Sequence, residues 1–155
     1  MATTTPLAIR GVAHPPPPRR GGRANLADLT RAEISSTNLQ GKKLLREHDH
    51  DDEVGTVLAS WQGRDGSLRI AANVHDPVAI EQVKGGEMRG LSLGTSMILA
   101  ADGSVAYRGQ DELSICEEGK RAGTWIDTMD GMSCRAVECF SKSKAGARAG
   151  MHPMR

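Results

Sequence analysis

Aromatic side chains are scarce in this chain: two tryptophans, one tyrosine and one phenylalanine among 155 residues. A core without rings must be filled by Val, Ile, Leu and Ala, and 18 glycines favour tightly turned β structure over a helical bundle. Cysteine is also sparse. Cys116, Cys134 and Cys139 are odd in number and follow no paired metal spacing. With no apolar signal-peptide core near the start, they point away from a disulfide framework and towards a reducing, intracellular setting. No apolar run approaches the roughly 20 residues needed to cross a bilayer, so a soluble protein with no membrane partner is expected. Neither sign of charge is in excess, with 20 Lys and Arg against 19 Asp and Glu. No global field therefore draws the chain to nucleic acid. The length leaves room for one domain and not for a separate cofactor domain, and no cofactor is expected.

What is present is regular punctuation. Leu7 to Val12 reads as a first strand. Residues 15–23, rich in Pro, Arg and Gly, read as an exposed mobile loop that cannot donate to a sheet. Asn25 to about Ser35 reads as a short helix capped by Asn25. Val54 to Trp61 and Ser67 to Val74 form a hairpin across Gln62-Gly63-Arg64-Asp65-Gly66. Asp76-Pro77 opens a helix with an apolar side of Val78, Ile80 and Val83, and Gly85-Gly86 ends it. Met88 through Met97 is a strand carrying Ser92. Val105 to Tyr107, Glu112 to Cys116 and Gly123 to Asp127 are three more. Ser133 caps a last helix through about Phe140, and 141–155 is a basic, disordered tail.

A serine hydroxyl is a poor nucleophile at neutral pH. It needs an imidazole to take its proton and a third group to fix the tautomer and offset the imidazolium charge. Ser92, His48 and Glu112 can fill these positions. Taken alone, Gly90-Leu91-Ser92-Leu93-Gly94 also matches the nucleophile elbow of α/β-hydrolases. That match is refused by the strand-like run after Ser92 and by the absence of a downstream His other than His152. Each residue has a plainer reading too. A Gly-flanked Ser in a strand is commonly a packing position, Glu112 an exposed strand carboxylate, and Lys120-Arg121 a wet turn. The acidic stretch from Arg46 to Glu53 holds His48 and His50 at alternate positions, which on a strand share a face. With Glu47 and Asp52 they could bind a divalent ion, or simply solvate a turn. This metal-binding or non-catalytic structural module is the alternative reading, and the favoured one assigns no metal.

Taken together, the segments resemble the capsid maturation proteases: the herpesvirus assemblin family and, more distantly, the prohead proteases of tailed phages. In both, a catalytic His precedes a hydrophobic-Gly pair. His48 stands seven positions before Gly55, matching the family spacing, with His50 at five as the alternate base. Gly90-Leu91-Ser92-Leu93 resembles the nucleophile strand. Ala79-Ile80-Glu81-Gln82-Val83, then Gly86 and Arg89-Gly90, resembles the phage lead-in. Glu112 stands where assemblins carry a second His, in the Glu-x-Ser-x form of the phage type. Gly119-Lys120-Arg121-Ala122-Gly123-Thr124 is similar to the Gly-Arg-Arg-x-Gly-Thr oxyanion turn. The likeness covers roughly residues 42 to 128. Gly94, where assemblins carry serine, and Arg46-Glu47, in place of apolar residues, depart from the pattern.

The resemblance implies a mainly β fold with flanking helices, a closed antiparallel β-barrel of the assemblin or prohead type. Residues 1–140 would form a single protease domain. It implies a serine endopeptidase that processes scaffold or capsid protein during procapsid maturation. Its scaffold protein and major capsid protein would be its substrate and assembly partners, and a homodimer its candidate oligomer, although the chain ends ahead of the helices that form the assemblin dimer interface. Catalysis would rest on Ser92, His48 and Glu112, with the Lys120 amide and the Arg121 side chain as the oxyanion hole. The expected location is the assembling procapsid, in a host nucleus or a bacterial cytoplasm. Val57-Leu58-Ala59-Ser60 fits the family cleavage string but falls in a predicted strand and is read as coincidence.

Overall fold

Alternation along Leu68-Arg69-Ile70-Ala71-Ala72-Asn73-Val74 turns every second side chain inward, and Leu68, Ile70, Ala72 and Val74 are all buried. A computed structural model describes residues 5–18, 28–119 and 123–133. The strands are β1 (Leu7–His14), β2 (Lys43–Arg46), β3 (Asp49–Gln62), β4 (Leu68–Val74), β5 (Gly90–Leu99), β6 (Val105–Cys116), β7 (Ile126–Met129) and β8 (Met132–Ser133). Two short helices accompany them, α1 (Arg31–Ser36) and α2 (Pro77–Lys84). The strands form one sheet in the order β5-β6-β2-β3-β4-β1-β7-β8. Its apolar side carries Leu7, Ile9, Leu44, Val54, Val57, Leu91, Leu113 and Ile115, closed over by Ile34 of α1 and by Ala79, Ile80 and Val83 of α2.

The mainly β composition agrees with the sequence reading, but the expected closed antiparallel barrel does not form. One pair, β2 with β6, is parallel, with Leu44, Leu45 and Arg46 against Leu113, Ser114 and Ile115. The sheet also fails to close. Opposite β5, the chain ahead of β7 offers an isolated bridge, Gly90 to Trp125, flanked by Leu91 N–H to Thr124 O at 3.1 Å and Ile126 N–H to Arg89 O at 3.0 Å. Among the described residues no ladder continues from it, because the four residues of β7 pair with β1 and β8 instead.

Local chemistry accounts for the element boundaries. The β3–β4 turn is held by Asp65, which accepts from the Ser67 amide at 2.9 Å and from its hydroxyl at 2.6 Å. These bonds hold the Asp65 carboxyl below the usual range. Asp76 caps α2 by accepting from the Ala79 amide at 2.9 Å, Pro77 follows at the first turn, and Gly85 ends the helix. Val78, expected on the apolar side, is exposed, and Ala79 takes its place. The first helix begins later than its predicted start. Thr30 and Glu33 form a reciprocal capping box, whereas Asn25 lies outside the described residues. Two predicted strands, 105–107 and 112–116, are one continuous β6. Ser133, the expected cap of the last helix, pairs in β8 with Thr128 of β7. Residues 19–23 of the Pro-rich loop, the remainder of the predicted last helix, and the 141–155 tail lie outside the described residues.

Candidate active site

The site is built where β2 runs parallel to β6. Because Leu45 lies beside Ser114 and Arg46 beside Ile115, the chain leaving β2 turns directly over the C-terminal end of β6. The turn has two residues, Glu47 and His48, between the paired Arg46 and Asp49. Both have positive φ, 50° and 61°, the pattern of a type I′ hairpin turn. Two hydrogen bonds fasten it to β6: Glu47 N–H to Ile115 O at 2.9 Å, and His48 N–H to Ser114 Oγ at 2.9 Å.

Beneath the turn, β5 and β6 pair antiparallel with Ser92 opposite Ser114 and Gly94 opposite Glu112. Alternation puts all four on one face, while Leu91, Leu113 and Ile115 point to the core. Ser92 is 5% exposed, Glu112 6% and Ser114 0%. The imidazole of His48 bridges this face. Nε2 lies 2.8 Å from Ser92 Oγ, and Nδ1 lies 2.5 Å from Glu112 Oε1. A carboxylate can only accept, so the Nδ1–H donates to Glu112 and a neutral ring leaves Nε2 to accept the Ser92 hydroxyl proton. The far carboxylate oxygen, Oε2, accepts from the Ser114 hydroxyl at 3.1 Å.

Ser92 is the third residue of a ten-residue strand, so it is not on the strand-to-helix elbow of an α/β-hydrolase. His50, the alternate base, is exposed on β3, and no described hydrogen bond joins it to Ser92 or Glu112. Asp111 is exposed and accepts from Ser96 Oγ, away from the imidazole. Arg46, just before the turn, pairs with Asp52 at 3.2 Å and with Asp76 at 2.9 Å, tying the turn to the start of α2. Among the described residues, no three His, Cys, Asp or Glu side chains are grouped as a metal site would require. Lys120 and Arg121 lie outside the described residues. The flanking Gly119 approaches the start of β5, two residues from Ser92: a Cβ added to Gly90 would come within 2.1 Å of the Gly119 nitrogen.

Sequence reasoning missed two members of this face. Ser114 stands in the Glu-x-Ser-x string without a role, and Gly94 only as a flank of the Gly-x-Ser-x-Gly pattern and a departure from the assemblin pattern. The available signal was their spacing: residues two apart on each of two paired strands share a face.

No protein-family model and no curated protein matches the sequence. Solved structures do match. A Kaposi's sarcoma-associated herpesvirus protease in complex with a hexapeptide phosphonate inhibitor aligns with a TM-score of 0.60 at 14% identity, over 96% of this chain and 78% of that one. The varicella-zoster virus protease aligns with a TM-score of 0.56 at 15% identity, over 96% and 78%. A further Kaposi's sarcoma-associated herpesvirus protease, in complex with a dimer disruptor, gives 0.54 at 16% identity over 88% and 81%. The chain therefore has the fold of the herpesvirus proteases; no phage protease is among these structures.

Proposed function

We propose that this chain is a serine endopeptidase that processes scaffold or capsid protein during viral procapsid maturation. The observation that supports this is the unbroken hydrogen-bonded series Ser92–His48–Glu112, at 2.8 and 2.5 Å, on a fold shared with herpesvirus proteases. In the proposed reaction, Ser92 Oγ attacks the scissile carbonyl while its proton passes to His48 Nε2. Glu112 holds the Nδ1–H and offsets the charge that develops on the ring. The imidazolium then protonates the leaving amine, and a water activated by the same ring releases the acyl group. The Lys120 amide and, through a water, the Arg121 side chain would hold the oxyanion, donors of a kind commonly worth about 3 kcal/mol apiece. The substrate would be a scaffold protein, with the major capsid protein as assembly partner, at the assembling procapsid. A homodimer is the candidate oligomer, since a dimer disruptor binds one of the similar proteases.

Ser92→Ala should abolish cleavage of a scaffold-derived peptide and labelling by a fluorophosphonate probe, with the circular dichroism spectrum unchanged. Undiminished cleavage by the folded variant would overturn the reading.

A further inference from the structure

The acid of this site is held by a feature that the three-residue series does not contain. A Cβ built on Gly94 would lie 2.1 Å from Glu112 Oε1, 2.6 Å from its Cδ and 3.0 Å from its Cγ. The Glu112 side chain thus fills the volume that any side chain at position 94 would occupy. Oε1 is the oxygen bonded to His48, so displacing it breaks that bond first. From the other side, Ser114 is fully buried and its hydroxyl has matched directions: it donates to Glu112 Oε2 at 3.1 Å and accepts from the His48 amide at 2.9 Å. One hydroxyl thereby fixes both the free oxygen of the acid and the backbone of the base, in a turn whose positive φ is intrinsically unfavourable.

We propose that Gly94 and Ser114 are positioning residues that form a seat for Glu112. Gly94 supplies the space, and Ser114 locks the carboxylate and the His48 backbone into one rigid unit. The seat deepens the protease reading and rests on it. It also makes position 94 and position 112 interdependent: Glu112 in the conformation that reaches His48 leaves no room for a Cβ at 94. Neither residue touches the reacting atoms, so both act through Glu112 and His48.

A double-mutant cycle tests this. Gly94→Ala should lower kcat about 100-fold or more, and Ser114→Ala about 10- to 100-fold, each with KM within about threefold of the parent. In a Glu112→Ala background, where residual turnover is expected from the remaining groups, Gly94→Ala should cost less than about threefold further. Ser114→Ala should lose there the part of its effect that runs through Glu112 and keep only the part that runs through the His48 amide. A merely structural role would lower turnover by the same factor in both backgrounds, and that result would overturn the proposal. So would full activity of either single variant. Ser114→Cys keeps the side-chain shape, with a slightly larger atom, while weakening its hydrogen bonds, and its cycle decides the matter if Ser114→Ala does not fold. Failure of the underlying reading is a separate outcome, seen as cleavage that survives Ser92→Ala.

Discussion

His48 has a backbone that an L-residue adopts reluctantly, with φ at 61°, and its neighbour Glu47 has φ at 50°. Left-handed geometry costs a residue with a Cβ roughly 1–2 kcal/mol. Elsewhere the same kind of turn is made cheaply: Asp130-Gly131 joins β7 to β8 with φ of 49° and 81°. The costlier pair sits where the proposed base must project over β6, and its amides are tethered to Ile115 and Ser114. Strain concentrated there fits a functional position better than a structural one. Glu47 is exposed, and its described tether is a backbone one that glycine retains. Glu47→Gly should therefore raise stability by about 0.5–1 kcal/mol in urea denaturation, the strain relieved exceeding the entropy that glycine adds to the unfolded chain. A loss of stability would show that the Glu47 side chain contributes more than its backbone costs.

The elements that local chemistry specifies are the ones the sequence made legible. Asp76-Pro77 and Gly85 bracket α2, and the Asp65-Gly66 turn joins β3 to β4, because caps and turns are encoded within a few residues. Long-range pairing is encoded nowhere so compactly. The four residues of β2 are too few to show a period, and nothing local indicates that they run parallel to β6. Similarly, a gap was predicted within β6 at residues 108–111, where the strand extends without a break. Ser92, His48 and Glu112 could be singled out because the hydroxyl, imidazole and carboxylate have recognisable chemistry. Ser114 and Gly94 could not, since their part depends on a register that only the paired strands supply. One capping residue also belongs to a larger unit. Asp76 accepts from the Ala79 amide and pairs with Arg46 at 2.9 Å. Asp76→Ala should cost about 1 kcal/mol for the lost cap and roughly 1–2 kcal/mol more for the partly buried Arg46 left with Asp52 alone. A thermal-denaturation loss no larger than that of an ordinary cap would show that Arg46 does not depend on Asp76.

At the scale of the whole molecule, the open sheet leaves a seam where β5, with Ser92, meets the chain ahead of β7. The described bonds that cross it include the two hydrogen bonds that make the Gly90–Trp125 bridge and the Arg89 guanidinium 5.8 Å from the centre of the Trp125 ring. The same segment is gripped from β1, whose Val12 amide donates to Trp125 O at 2.9 Å, next to a register shift between Arg10 and Gly11. Gly11 makes this three-way junction possible. A Cβ there would lie 2.2 Å from Trp125 O and 2.9 Å from Ile126 Cα, both backbone atoms, and 2.8 Å from Leu91 Cδ1 in the core. Backbone cannot rotate aside as a side-chain tip can, so Gly11→Ala must push the 125–126 segment away from β1 or shift β5 through Leu91. Overpacking of this kind costs about 1–3 kcal/mol. At roughly 2–4 °C per kcal/mol for a chain of this size, the melting temperature should fall by about 2–12 °C. Leu91 is the neighbour of Ser92, so turnover of a scaffold-derived peptide should fall at temperatures where the variant remains folded. An unchanged melting temperature would show that the seam yields without cost, and that β5 is held in place by its pairing with β6 alone.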